Sequence, residues 1–342
     1  MKAIAFRQHG DVKVLEPMEL REPALGARDV LVRVKAVALN HLDIWVRKGW
    51  PGLKLAFPHV LGSDIAGVVE RVGGEVSDLP AGTEVVVNPG LSCGACAACL
   101  SGEDNLCKSY RVLGEHLDGG YAEYVAVPRQ NVLPKPKNLS FEEAACVPLT
   151  FLTSWTMLDR RAQLRPGETV LVHAAGSGVG SAAVQIAKLM GATVIATAST
   201  DEKLARAQQL GADHLINYAR TDFLEEVKRL TNRRLVDVVF EHVGEKTFDK
   251  SVACLPYGGR LVTCGATTGH EVKLDLRVLF YKRISLLGST MGSKGDLFRI
   301  LQLVEQGRLR PVLDRVLPLA NAAEAHGLLE SRAQFGNVVL VP

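Results

Sequence analysis

TVLVHAAGSGVGSAAVQIAKLM, from Thr169 to Met190, decides the fold. An apolar β-rich run, Thr169 to Ala175, meets the glycine-rich turn Gly176-Ser177-Gly178-Val179-Gly180, and residues 181–190 then repeat apolar positions at helical spacing. A second apolar run, TVIATA at 193–198, follows at once. Strand, turn, helix and strand make a βαβ unit, whose strands run parallel because the helix carries the chain back across the sheet. The helical segment DEKLARAQQLGA at 201–212 and the runs HLINY (214–218), VDVVFEHV (236–243), GRLVTCG (259–265) and ISLLGS (284–289) extend the alternation. The tail from about Gly292 reads as helix, strand, helix and strand.

Upstream of Pro148 the pattern is different. Short runs such as VLVRVKAVAL (30–39), AGVVERVG (66–73) and EVVV (84–87), broken by Gly and Pro, predict an antiparallel β domain. The division expected is therefore 1–150 with 291–342 as one domain and 151–290 as the other. Composition agrees with two folded domains: 342 residues are 47% hydrophobic and 23% charged, which excludes a disordered chain. The net charge of +3 is spread without a long basic run, so neither nucleic acid nor an anionic membrane is an expected partner. No run reaches the ~18 apolar residues of a membrane span, and MKAIAFRQHG carries charge where a secretory segment is apolar. A cytoplasmic location is expected, and the free thiols Cys146, Cys254 and Cys264 suit a reducing compartment.

Two sites are legible from residue type and spacing. Cys93, Cys96, Cys99 and Cys107 follow C-x2-C-x2-C-x7-C, and four thiolates close the tetrahedral shell of Zn(II). One structural zinc per chain is expected, in a lobe spanning 93–107. The turn Gly176 to Gly180 is the place for a dinucleotide pyrophosphate, because glycines let backbone and phosphate approach and the helix start offers free N–H groups. A plain strand-to-helix turn is the alternative, since Ala175 and Ser177 hold the first two glycine positions of G-x-G-x-x-G. At the second strand tip, Ala198-Ser199-Thr200 offers no carboxylate for a ribose 2'-hydroxyl, and Lys203 follows. That charge pattern favours NADP over NAD; Asp201 reads as a helix cap and leaves NAD open.

The chain resembles the medium-chain dehydrogenase/reductase superfamily over essentially its whole length. The cysteine lobe is similar to that of zinc alcohol dehydrogenases, and Ala174 to Gly180 to the glycine turn of the quinone oxidoreductase branch. The resemblance implies an α/β protein: a GroES-like β-rich catalytic domain beside a doubly wound, parallel-sheet Rossmann domain. It also implies a homodimer or homotetramer, paired along the edge strand near Leu286-Leu287-Gly288-Ser289.

The family's catalytic zinc ligands fall at Asn40, Ser63 and Leu149, where this chain has no Cys or His. Asn40-His41-Leu42-Asp43 matches instead the zinc-lacking quinone reductases, whose Asn lies near the nicotinamide ribose. Lys203 and Tyr218 fall where that branch contacts the 2'-phosphate, Ser199 beside them; His41 and Arg332 fall where the family contacts phosphate. The expected reaction is hydride transfer with NADP(H) to a small quinone or unsaturated carbonyl in a cleft between the domains. Asn40 would be a polar contact, Asp43 bonds loop backbone, and Trp45, Leu149 and Thr153 shape the pocket. Trp45 and Trp50 read equally as a pocket wall or as core. Asp64 is expected in an internal salt bridge, His59 packed beside Pro58, His173 packed in the core, and His242 beside nicotinamide or on a carbonyl. The alternatives are an alcohol dehydrogenase with an improvised metal set drawn from His41, Asp43, His59, Asp64, His116 and Cys146, and a non-catalytic dinucleotide sensor.

Overall fold

The computed structural model describes all 342 residues, which form two units: Met1–Leu152 with Gly292–Pro342, and Thr153–Met291. No helix is long and apolar enough to cross a membrane.

The first unit is organised by the strand Asp29–Ala38. It pairs antiparallel with Asp64–Val72 and Tyr124–Pro128 and, at its end, with Asn337–Val341. Val30, Val32, Val34 and Val37 pack with Ile65, Val69, Val85 and Val87 in a continuous core, as the alternating runs predict. Gly62 is required where this core is tight: its φ is +101°, and a Cβ would lie 2.5 Å from the Tyr121 ring and 2.8 Å from Val37. One pairing departs from the antiparallel reading. Leu313–Pro318 lies parallel to Asn337–Val341, because the helix Ala322–Glu330 between them returns the chain across the sheet.

The helix His41–Lys48 starts immediately after the organising strand and ends at Gly49, whose φ is +76°. On it Arg47 is fully buried. Its guanidinium donates to the Gly10 carbonyl at 3.2 Å, His326 Nδ1 at 2.9 Å and Glu330 Oε1 at 2.8 Å, pinning the helix to the chain start and to Ala322–Glu330.

In the second unit six parallel strands run in the order His214–Asn217, Thr193–Ala198, Thr169–Val172, Val238–Glu241, Arg260–Thr263 and Ser285–Gly288. The order reverses at Thr169–Val172, the doubly wound arrangement with its switch point beside the glycine turn. Leu171, Ile195, Ile216, Val239 and Leu261 supply core. Ser285–Gly288 is an edge strand, and Leu276, Phe280 and Tyr281 of the preceding helix are exposed.

Removing the buried guanidinium leaves His326 Nδ1 without its donor and Glu330 with Lys48 alone. Arg47→Met is expected to lower the unfolding free energy by about 2–4 kcal/mol. Lys48→Ala breaks only an exposed pair to the same Glu330 and should cost less than ~0.5 kcal/mol. Urea unfolding of the two variants checks the contrast.

Candidate functional site

In the cysteine lobe, the turn at Gly94, the short helix Ala97–Leu100 and the 3-10 turn Asp104–Leu106 fold four thiols onto one point. The sulfurs of Cys93, Cys96, Cys99 and Cys107 all lie within 4.8 Å of one another; Cys96 to Cys99 is 3.5 Å, Cys107 to Cys93 3.6 Å and Cys93 to Cys99 3.9 Å. A tetrahedral ion with Zn–S bonds of about 2.3 Å places its sulfurs about 3.8 Å apart, so this donor set fits zinc and leaves no open position. The backbone N–H groups of Ala95 and Cys96 hold the Cys93 thiol down to about 6, favouring the ligating thiolate. Nothing in the spacing announced what anchors the lobe. Lys294 Nζ meets Asp104 Oδ2 at 2.7 Å and Ser92 Oγ at 2.7 Å, and the Lys294 N–H donates to Asp104 Oδ1 at 2.9 Å.

The glycine turn leaves the C-terminal end of Thr169–Val172. Ser177 caps the helix Gly178–Leu189 by accepting from the Gly180 N–H at 2.9 Å, and its carbonyl accepts from Ser181. The N–H groups of Gly178 and Val179 are those a helix start leaves for an anion, so the turn fits a pyrophosphate. Gly180 serves differently from the sequence expectation. A Cβ there would lie 2.4 Å from the Ala174 carbonyl and 2.9 Å from Ala175 Cα, so its hydrogen permits close packing of helix start on strand end rather than approach of phosphate.

At the second strand tip Thr200 caps the helix Asp201–Gln209, accepting from the Lys203 N–H at 3.3 Å. Asp201 is therefore not the cap. Its carboxylate accepts from Asn217 Nδ2 at 2.7 Å and pairs with Arg220 at 2.5 Å, which holds it below its ordinary range. Tyr218, held by its N–H on the Ala198 carbonyl, and Arg220, which sequence reading missed, join Ser199 and Lys203 around this tip. His173 is packed, Nε2 on Ser251 Oγ, and His242 Nε2 lies 2.9 Å from the His173 carbonyl. His242 thus takes the carbonyl role.

The third cluster belongs to the first unit. Register pairs Ala38 with Asp64, so Asn40, two residues on, faces the start of the neighbouring strand. Asn40 Nδ2 donates to Asp64 Oδ2 at 2.9 Å, and the Leu149 N–H donates to Asp64 Oδ1 at 2.7 Å. Asp43 accepts from the Asn40 N–H at 2.7 Å and the Gly62 N–H at 3.0 Å, the backbone role expected. Asp64 departs from expectation: its partners are an amide and a backbone N–H, not a cation. Ser63 Oγ donates to the Leu113 carbonyl at 2.7 Å. Burial pushes the Asp43 carboxyl up to about 7 and that of Asp64 to about 8.

Trp45 lies further along the same helix with its ring 6.2 Å from that of His41, whereas Trp50, at 41% exposure, is not core. His59 is buried, with Nε2 on the Gly114 carbonyl, and Cys146 donates to Glu142. Leu149 and Thr153 are buried on or beside the helix Pro148–Trp155, and Arg332 follows the helix Ala322–Glu330 with φ +55°. Of the metal set considered in place of the family ligands, none gathers in ligand range; the cysteines alone form such a group.

Residues 26–137 match the family description "Alcohol dehydrogenase GroES-like domain", and residues 178–306 match "Zinc-binding dehydrogenase". The NAD-dependent alcohol dehydrogenase of Saccharolobus solfataricus is 35% identical, covering 97% of this chain and 98% of that protein. The quinone oxidoreductase of Pseudomonas aeruginosa is 33% identical, covering 100% of this chain and 99% of that one. This chain belongs to the medium-chain dehydrogenase/reductase superfamily. A solved NAD-dependent alcohol dehydrogenase, 54% identical, superposes with a TM-score of 0.97 over 100% of both chains. The superfamily's two-part α/β architecture, GroES-like and Rossmann, is the one observed, and the chain is an oxidoreductase.

Two outcomes follow. Cys96→Ser should release the lobe's zinc and lower the melting temperature, read by elemental analysis and calorimetry. Because both buried carboxyls bind protons more tightly folded than unfolded, they stabilise the fold most below the ordinary carboxylate range, and that stability is lost as pH rises toward about 8. Asp64→Asn removes its share, so urea midpoints of variant and wild type should separate in the variant's favour from pH ~5 to ~9.

Proposed function

We propose that this chain is an NADP(H)-dependent reductase of small quinones or α,β-unsaturated carbonyls that needs no zinc at the hydride-transfer site. One observation carries the reading. At the three positions where zinc alcohol dehydrogenases ligate their catalytic ion, this chain has an amide tied to Asp64, a hydroxyl spent on the Leu113 carbonyl, and a leucine side chain without a donor atom. That set is unsuited to Zn(II), and an alcohol oxygen gives up hydride readily only when a Lewis acid or a base helps it lose its proton.

A conjugated acceptor needs less. A nicotinamide held there would supply the hydride for the β-carbon; conjugation would carry the displaced electron pair to the carbonyl oxygen, and solvent would return a proton to the α-carbon. The protein's task is to position the acceptor and donate to the developing enolate oxygen. Asn40 is the donor in this reading, Asp43 fixes its backbone, and Trp45, Leu149 and Thr153 shape the pocket. Gly176, Ser177, Gly178 and Val179 would hold the pyrophosphate. Ser199, Lys203, Tyr218 and Arg220 would hold the 2'-phosphate, with Asp201 neutralised by Arg220 and so no obstacle to it. Arg332 is assigned to a cofactor phosphate, where guanidinium bonds oxygen bidentately. The exposed edge Ser285–Gly288 and the apolar residues of Leu276–Lys282 would be covered in a homo-oligomer.

Steady-state assays with NADPH should show turnover of enones or quinones; turnover confined to simple alcohols overturns the assignment. Lys203→Ala and Arg220→Ala should each raise KM for NADPH by ~10-fold, about 1.4 kcal/mol, and leave NADH within ~2-fold. Equal losses for the two cofactors remove the NADP preference.

A further inference from the structure

The strand Val238–Glu241 pairs with Thr169–Val172, with Phe240 opposite Val172, so Glu241 lies next to His173, where the glycine turn begins. Both side chains are buried, 3.9 Å apart between Oε2 and Nε2. Glu241 Oε1 accepts from the Val243 N–H at 2.6 Å and the Gly244 N–H at 3.2 Å, and Oε2 from the hydroxyls of Thr247 at 2.8 Å and Ser251 at 2.9 Å. Burial works against that charge, but the imidazoles beside it and the Val243 and Thr247 donors hold the carboxyl below its ordinary range. The proton positions then follow one from another. Ser251 spends its hydrogen on Glu241, so its oxygen accepts, and His173 Nε2, 2.9 Å away, is the donor. Burial keeps that ring neutral, which leaves Nδ1 bare. The Thr197 hydroxyl, 3.3 Å from Nδ1, donates to it, and Thr197 Oγ1 accepts the Ala174 N–H at 3.3 Å. Every hydrogen along Ala174, Thr197, His173 and Ser251 points toward Glu241.

The far end of this relay opens the glycine turn. Ala174 has φ +44°, a left-handed conformation that a non-glycine residue keeps only when its surroundings hold it. Thr197 supplies that hold, its Oγ1 taking the Ala174 N–H and its carbonyl the Ala175 N–H at 3.0 Å. The Ala174 carbonyl in turn accepts from the Ser177 N–H at 2.9 Å, and Ser177 caps the helix whose first N–H groups suit a phosphate. We propose that Glu241 is a positioning residue for the dinucleotide, a carboxylate that sets the pyrophosphate turn through Ser251, His173 and Thr197. The inference rests on the reading of Gly176 to Gly180 as the pyrophosphate site, and is independent of the substrate and of the choice between NADP and NAD. A glutamine in place of Glu241 reverses the relay. Its carbonyl must face the Val243 and Gly244 N–H groups, so its NH2 faces Thr247 and Ser251. Thr247 can turn its hydrogen to the Gly244 carbonyl, 3.2 Å away, but Ser251 must then donate to His173 Nε2, which moves the ring proton to Nδ1. Thr197 Oγ1 is left facing two donors, and its own hydrogen loses its acceptor.

The test is calorimetric binding of NADPH and of NADH to the intact chain, with the ring nitrogens of His173 followed by ¹⁵N NMR and assigned from the signals lost in His173→Gln. In wild type, Nε2 should carry the proton and Nδ1 should resonate as a bare nitrogen. Glu241→Gln should exchange the two and raise Kd for both dinucleotides by ~10-fold, the size of one lost buried hydrogen bond. The equal loss separates it from Lys203→Ala, whose effect is confined to NADPH. Thr197→Val keeps the shape of the side chain without its hydroxyl and should also weaken both by ~10-fold, whereas Thr197→Ser keeps the hydroxyl and should bind both within ~2-fold of wild type. A merely structural network would lower the melting temperature of Glu241→Gln and Thr197→Val and leave the affinities of the folded variants unchanged. That outcome, or a His173 ring that keeps its proton on Nε2 in Glu241→Gln, overturns the proposal. If wild type binds neither dinucleotide, the pyrophosphate reading fails and takes the role of Glu241 with it, while the His173 spectra still decide the direction of the relay.

Discussion

Much of the first unit depends on a carboxylate placed where no water reaches it. Asp43 accepts from the backbone at Asn40 and at Gly62, and so fastens the start of the helix His41–Lys48 to the chain just before the strand Asp64–Val72. A buried carboxyl is tolerated only when donors surround it, and these are supplied by parts of the chain far apart in sequence. Tyr121, His326 and Arg47 extend the same requirement to Glu330 at the surface. The catalytic asparagine proposed above inherits its place from this network. Its backbone N–H belongs to Asp43 and its amide to Asp64.

The second unit meets a simpler constraint. Parallel strands bring their C-terminal ends together, and the strand order reverses at Thr169–Val172, so the turn into the helix Gly178–Leu189 lies at the switch point of the sheet. Gly180 lets the helix start close against Ala174 and Ala175, while Ser177 takes one donor and leaves the others. The cofactor preference proposed above turns on a site one strand away, where Asp201 is occupied by Asn217 and Arg220. A carboxylate close in sequence to the strand tip is thereby removed from competition for a ribose.

In the proposed reading, zinc and hydride chemistry are separated within this chain. The cysteine lobe gathers four thiolates through local turns and is tied to Lys294 by the buried acid Asp104, a contact spanning 190 residues of sequence. The positions that would carry a second ion instead hold side chains satisfied by hydrogen bonds to the protein or lacking a ligand atom. In the proposed reading, substrate activation falls to conjugation in the acceptor and to the Asn40 amide, which is bonded to Asp64.

The amino-acid sequence by itself determined the elements and the local sites. Period-two and helical apolar patterns mark strands and helices, and the thiol spacing of Cys93 to Cys107 and the turn Gly176 to Gly180 lie within short stretches, so their chemistry is readable without a fold. What only tertiary structure decided is pairing at a distance. Asp64 was expected to meet a cation because a buried acid usually does, yet the register of Asp29–Ala38 against Asp64–Val72 delivered Asn40 instead, and the helix at Pro148 delivered Leu149 N–H. Arg220 near Asp201, Lys294 against Asp104, and the parallel strand Leu313–Pro318 arise in the same way. Periodicity records which face of an element is buried, not which polar group will face it, and that second choice is made only when the whole chain must satisfy its buried donors and acceptors at once.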